Sequence, residues 1–114
     1  MAGYEIGKAE KVLTLVNSFE VHGDPARFEE EFRKVSDWMR GQPGFHRHQL
    51  CRSAHDPRRF VNIAVWDDQA ALDAAIGDEG FQSRVAVLRT MATASPQTYE
   101  HVLDVVGAAS GSTP

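Results

Sequence analysis

Eight consecutive residues, Arg59–Trp66 (RFVNIAVW), constrain the fold of this chain more than any others. β-Branched and aromatic side chains at this density, set between Asp56-Pro57 and Asp67-Asp68, dictate a strand. Side chains alternate along a strand, so Val61, Ile63 and Val65 form one row and Phe60, Asn62, Ala64 and Trp66 the other. The first row is wholly aliphatic. The second mixes aromatic rings with an amide.

The remaining pattern supplies partners for that strand. Val12 to Val21 (VLTLVNSFEV) reads as an earlier strand. Gly23-Asp24-Pro25 then offers an N-cap and a proline suited to the first helical position. Phe28, Phe32, Val35 and Met39 follow at helical spacing, and Gly41-Gln42-Pro43-Gly44 ends the helix. Phe45 to Ser53 alternates as a second strand, and Ala54 to Arg58 forms a turn. After Trp66, Asp67-Asp68 caps an alanine-rich helix through Ile76, Gly77 to Gly80 interrupts it, and Phe81, Val85 and Leu88 continue a further helical stretch. Ser95-Pro96 breaks the pattern, and Thr98 to Val106 reads as the last strand.

The order β-α-β-β-α-β predicts an α+β, ferredoxin-like sandwich, with the helices on one sheet face and the first and third strands as parallel central neighbours. One domain spans residues 11–106, and residues 1–10 and 107–114 are expected as loose ends. The aliphatic row is expected to pack on the helices. That leaves Phe60, Asn62, Ala64 and Trp66, with Leu13, Leu15, Asn17 and Phe19 of the first strand, on the bare face. So large an apolar surface needs a cover. A second copy of the sheet is the economical one, giving a homodimer in the form of a dimeric α/β barrel. Asn17, Asn62 and the Trp66 indole would then line its cavities, because buried polar groups need partners.

Charge and composition exclude several classes. The net charge of −4 is scattered along the chain, which argues against a nucleic-acid footprint. Cys51 stands alone, so neither a disulfide framework nor a multi-cysteine metal site is available. No secretory hydrophobic region opens the chain and no apolar run reaches membrane-spanning length, so a cytoplasmic protein without membrane contact is expected. His46 and His48 have the spacing of a His-x-His metal pair, for which only His101, Glu100 or Asp104 could supply more ligands. General-base work suits His48 and His101 better, since histidine titrates near neutrality.

The runs Thr14–Val21 (TLVNSFEV), Gln42-Pro43-Gly44-Phe45 and Phe60–Trp66 with Asp67-Asp68 resemble the antibiotic biosynthesis monooxygenase family, in particular its small anthrone-type oxygenases of aromatic polyketide pathways. The similarity covers roughly residues 11–106. It implies a dimeric α/β barrel and oxygen activation without flavin, haem or metal, so no cofactor and no metal are expected. The partners implied are a small aromatic substrate, molecular oxygen and a second subunit. A deprotonated phenolic substrate passes an electron to O₂, the radical pair recombines to a hydroperoxide, and loss of water gives a quinone. Resemblance carries over Asn62 and Trp66 as the residues that hydrogen-bond the developing oxyanion, with Asn17 as a further contact. With the histidines, the catalytic candidates are Asn62, Trp66, His48 and His101. The candidate substrate contacts are Asn17, Phe19, Leu15, Phe60, Leu72 and Arg84, the arginine reaching over the pocket mouth from the second helix, as Arg89 also could. Two positions depart from relatives: Ile76 stands where haem-degrading members carry a histidine, and Leu72 where some polyketide oxygenases carry a tyrosine. Other functions compatible with the same frame are a polyketide cyclase or C–C bond-rearranging enzyme, a non-catalytic small-molecule-binding dimer, and an oxygenase using reduced flavin or haem as co-substrate.

Overall fold

The computed structural model describes residues 12–108. The expectations for residues 1–10 and for 109–114, and the domain start at Lys11, lie outside the described residues. The chain runs β1 (Leu13–Val21), α1 (Pro25–Met39), β2 (Phe45–Arg52), β3 (Arg59–Trp66), α2 (Gln69–Ile76), α3 (Glu79–Arg89) and β4 (Ala92–Glu100). The strands form one four-stranded sheet in the order β2-β3-β1-β4. The helices lie on one face, as the α+β ferredoxin-like reading predicts.

Every neighbouring pair is antiparallel, including β1 with β3, where the sequence reading expected a parallel pair. The crossover through α1 returns the chain in its original direction, and the β2–β3 hairpin then reverses it, so β3 opposes β1. The last strand also differs from expectation. It begins at Ala92, not Thr98, ends at Glu100, and includes Ser95-Pro96. A proline is tolerated there because β4 is an edge strand, where its missing N–H costs no ladder bond.

Each helix start has a chemical cause. The Asp24 carboxylate accepts from the Ala26 N–H at 3.0 Å, Asp68 from Ala71 at 2.9 Å and Asp78 from Gly80 at 2.6 Å. On α1, Phe28, Phe32, Val35 and Met39 are all buried. Phe28 meets Phe19 and Phe60 of the sheet at ring-centroid distances of 5.2 and 5.0 Å, and Phe32 meets Phe19 edge-on at 5.8 Å.

That cluster reverses one expectation. Phe60, Asn62, Ala64 and Trp66 face the helices and are buried, whereas Val61, Ile63 and Val65 lie on the opposite face with Thr14 and Val16. The physical reason is size. The rings of α1 need large partners to fill the layer between helix and sheet, and the mixed row supplies them. Beyond β4, Val102, Leu103, Val105 and Val106 are exposed. Among the described residues no helix is long and apolar enough to cross a membrane.

Gly44 fixes the approach of α2 to the α1–β2 turn. Its φ is +84°, and a Cβ there would stand 2.5 Å from Ala71 Cβ. Its carbonyl accepts from the Asp67 N–H at 2.8 Å. Gly44→Ala combines left-handed backbone strain with that clash and is expected to cost about 2 kcal/mol. Chemical denaturation checks this: a lowered midpoint with an unchanged m-value is the expected result.

Candidate active site

A cavity of about 350 Å³ opens between the sheet and the helices, within the single chain. Its floor is Leu15, Asn17 and Phe19 of β1 with Trp66 at the end of β3. Alternation puts the three β1 side chains on one face, and antiparallel register sets Ala94 of β4 beside Phe19 and Pro96 beside Asn17. The roof is Leu72, Ala75 and Ile76 of α2 with Phe81, Val85 and Leu88 of α3. The short break at Gly77 and Asp78 lets α2 and α3 arch over the floor as two pieces.

The lining is apolar with three exceptions. Trp66 is fully buried, stacked edge-on against Phe45 at 5.2 Å, and its Nε1–H has no protein partner. Asn17 Oδ1 is likewise buried without a partner. Leaving either atom unpaired costs about 1–3 kcal/mol, and both belong to residues that line the cavity. The third exception is Arg89, the only charged side chain lining the cavity among the described residues.

Asn62 occupies a different position. It is 5% exposed and lines a narrow void next to the cavity, with Ser36, Phe45 and His48. Met39 lines both spaces and forms the wall between them. Asn62 Oδ1 accepts from His48 Nδ1 at 2.9 Å, and His48 Nε2 lies 2.7 Å from Ser36 Oγ. Both ring nitrogens of His48 are therefore engaged. A register shift between Phe45 and Arg47 inserts His46 as an extra residue, which splits the His-x-His pair. His48 turns inward, while His46 is exposed and contacts Asp67 Oδ1 at 2.6 Å. Among the described residues no three His, Cys, Asp or Glu side chains gather as metal ligands.

Of the sequence candidates, Leu15, Asn17, Phe19, Trp66 and Leu72 meet at the cavity. Asn62 and His48 stand behind the Met39 wall. Three others lie elsewhere. Phe60 packs into the phenylalanine cluster, because its row turns inward where α1 crosses. His101 contacts Thr14 Oγ1 at 2.6 Å on the face away from the helices. Arg84 lines a surface groove with Lys34 and Asp37 and donates to the Gly80 carbonyl at 2.8 Å, so Arg89 is the arginine at the cavity. Sequence reasoning passed over Met39 as core packing and did not single out Ser36. The α1 periodicity places Met39 on the buried face, but nothing in it marks that residue as a cavity wall.

The family model described as antibiotic biosynthesis monooxygenase matches residues 12–87. The chain belongs to that family. Deoxynogalonate monooxygenase of Streptomyces nogalater is 42% identical over 81 residues, which are 71% of this chain and 69% of that protein. The crystal structure of SnoaB, described as a cofactor-independent oxygenase from Streptomyces nogalater, superposes with a TM-score of 0.81 at 36% identity, covering 83% of this chain and 97% of that one. PA3566 from Pseudomonas aeruginosa shares the fold at 22% identity, with a TM-score of 0.73 over 83% of this chain and 98% of its own. This antibiotic biosynthesis monooxygenase thus joins a ferredoxin-like sheet to a cavity formed within the single chain.

Proposed function

We propose that this monooxygenase oxidises an electron-rich polycyclic phenol or anthrone to a quinone with O₂, without a bound cofactor, in the cavity above Leu15, Asn17 and Trp66. The observation that carries the reading is the pair of unpartnered buried atoms, Trp66 Nε1 and Asn17 Oδ1, on residues lining a chamber that is apolar but for them and Arg89. Apolar walls accept a flat ring system, and a donor and an acceptor fix its oxygens. The volume falls within the range of about 300–1,000 Å³ usual for small-molecule sites. The likeness to SnoaB, described as cofactor-independent, supports the same chemistry here.

In this mechanism the Trp66 N–H donates to the substrate oxygen as it becomes an enolate, and Asn17 Oδ1 accepts from a neighbouring phenolic O–H. Met39 yields on binding, its thioether chain being readily repacked, and the Asn62 amide then reaches the same oxyanion. Water at the cavity mouth takes the released proton. The enolate gives one electron to O₂, the substrate radical and superoxide combine to a peroxide anion that takes a proton back from water to become the hydroperoxide, and loss of water leaves the carbonyl. Arg89 meets an acidic group on the substrate. The valine and isoleucine row on the other sheet face, with exposed Val102, Leu103, Val105 and Val106, supports a homodimer built on that side.

Incubation with an anthrone model substrate, in buffer stripped of metal and flavin, tests the reading. The expected result is equimolar O₂ uptake and quinone formation, both abolished under argon. Equal turnover without oxygen would instead indicate a cyclase, and no turnover with tight binding a carrier.

A further inference from the structure

Ser36, His48 and Asn62 come from α1, β2 and β3 and form one part-buried hydrogen-bonded chain, at 2.7 and 2.9 Å. An amide oxygen only accepts, so His48 Nδ1 carries the ring proton and Nε2 presents a lone pair. In the neutral ring the Ser36 hydroxyl then donates to Nε2. Donation runs in one direction, from Ser36 through His48 to Asn62.

That direction decides what Asn62 offers on its other side. With its carbonyl held by His48, its amino group is left to other partners, and Asn17 of β1 is its register neighbour. The reverse chain would spend one N–H of Asn62 on the ring and turn its carbonyl to the other side, which would repel an oxyanion. Neutral imidazole in water favours the Nε2–H form, so the Nδ1–H form needs support, and the donated Ser36 hydroxyl provides it.

We propose that Ser36 is a positioning residue: through His48 it holds the Asn62 amide with its N–H₂ toward the oxyanion. This rests on the oxygenase reading for its kinetic consequence but not for its structural one. Chain cooperativity adds to the effect, because each donated bond polarises the next. His48 on this account touches no substrate.

Ring ¹⁵N chemical shifts of His48, assigned by comparison with His48→Gln, read the tautomer in the free protein. The expected pattern is a protonated Nδ1 and a bare Nε2, shifting toward the Nε2–H form in Ser36→Ala and returning in Ser36→Thr. A dominant Nε2–H form in the unmodified protein, or a pattern unchanged in Ser36→Ala, would overturn the proposal. In steady state, Ser36→Ala is expected to lower kcat about tenfold, the scale of one hydrogen bond, with KM changed by less than about twofold and with rescue by Ser36→Thr. A normal kcat in Ser36→Ala would equally sink the positioning role. The oxygenase reading fails separately, at the oxygen electrode, whatever the ring shifts report.

Discussion

Replacing Asn17 with leucine is expected to make the protein more stable and nearly inactive. Leucine is close to asparagine in shape, and the Asn17 carboxamide oxygen is buried with no partner. Removing it relieves a desolvation penalty of about 1 kcal/mol, the lower end of the range for an orphaned acceptor. For a domain of this size that corresponds to a melting temperature higher by about 4 °C. The opposite sign is expected for catalysis. Loss of the one acceptor on the cavity floor should lower kcat/KM with the anthrone substrate about a hundredfold, as the substrate loses a fixed orientation. Calorimetry and oxygen uptake on the same preparation give both numbers. A destabilised Asn17→Leu protein would mean that the amide has a structural partner in solution, and full activity would remove Asn17 from the site.

Trp66 separates packing from hydrogen bonding. Trp66→Phe keeps a ring against Phe45 but lacks the N–H, and it leaves space where the indole stood. Removing a single oxyanion donor costs about 10²–10³ in kcat, which is the expected loss. The lost volume should also cost about 1–2 kcal/mol of stability. A benzothienylalanine at position 66 is nearly the shape of tryptophan and carries no N–H. It is expected to restore the stability and leave kcat as low as in Trp66→Phe. Recovery of activity with that residue would show that Trp66 acts by shape alone.

Much of this arrangement is legible in the residues. Phe28, Phe32, Val35 and Met39 mark α1, Asp24 and Asp67-Asp68 mark the starts of α1 and α2, and the alternation in Arg59–Trp66 separates two rows correctly. The segment Gly77–Gly80, by contrast, reads as an interruption, and Asp78 proves to cap α3. What alternation does not encode is which row meets the helices, because both rows are apolar enough to be covered. The rings on α1 carry the missing information. Four phenylalanines (Phe19, Phe28, Phe32 and Phe60) pack together only if the mixed row turns inward. Moving that row inward also moves the cavity from between two protomers to within one. His46 and His48 diverge because of an irregular step in the ladder, which leaves no sign in composition. Arg84 and Arg89 flank the Phe81–Val85–Leu88 stripe on opposite sides, so helical phase alone does not choose between them. Packing of α3 against β4 brings Arg89 to the cavity.

Pro96 has a consequence beyond the cavity it lines. It sits midway along β4, the edge of the sheet, directly across from Asn17. An incoming strand seeking to extend the sheet at that edge would meet a residue with no N–H to give, in the middle of the only stretch long enough to template it. Growth by strand addition, the route toward fibrous aggregates, is therefore blocked on this side. Strand addition then has only the opposite edge, β2, left to it.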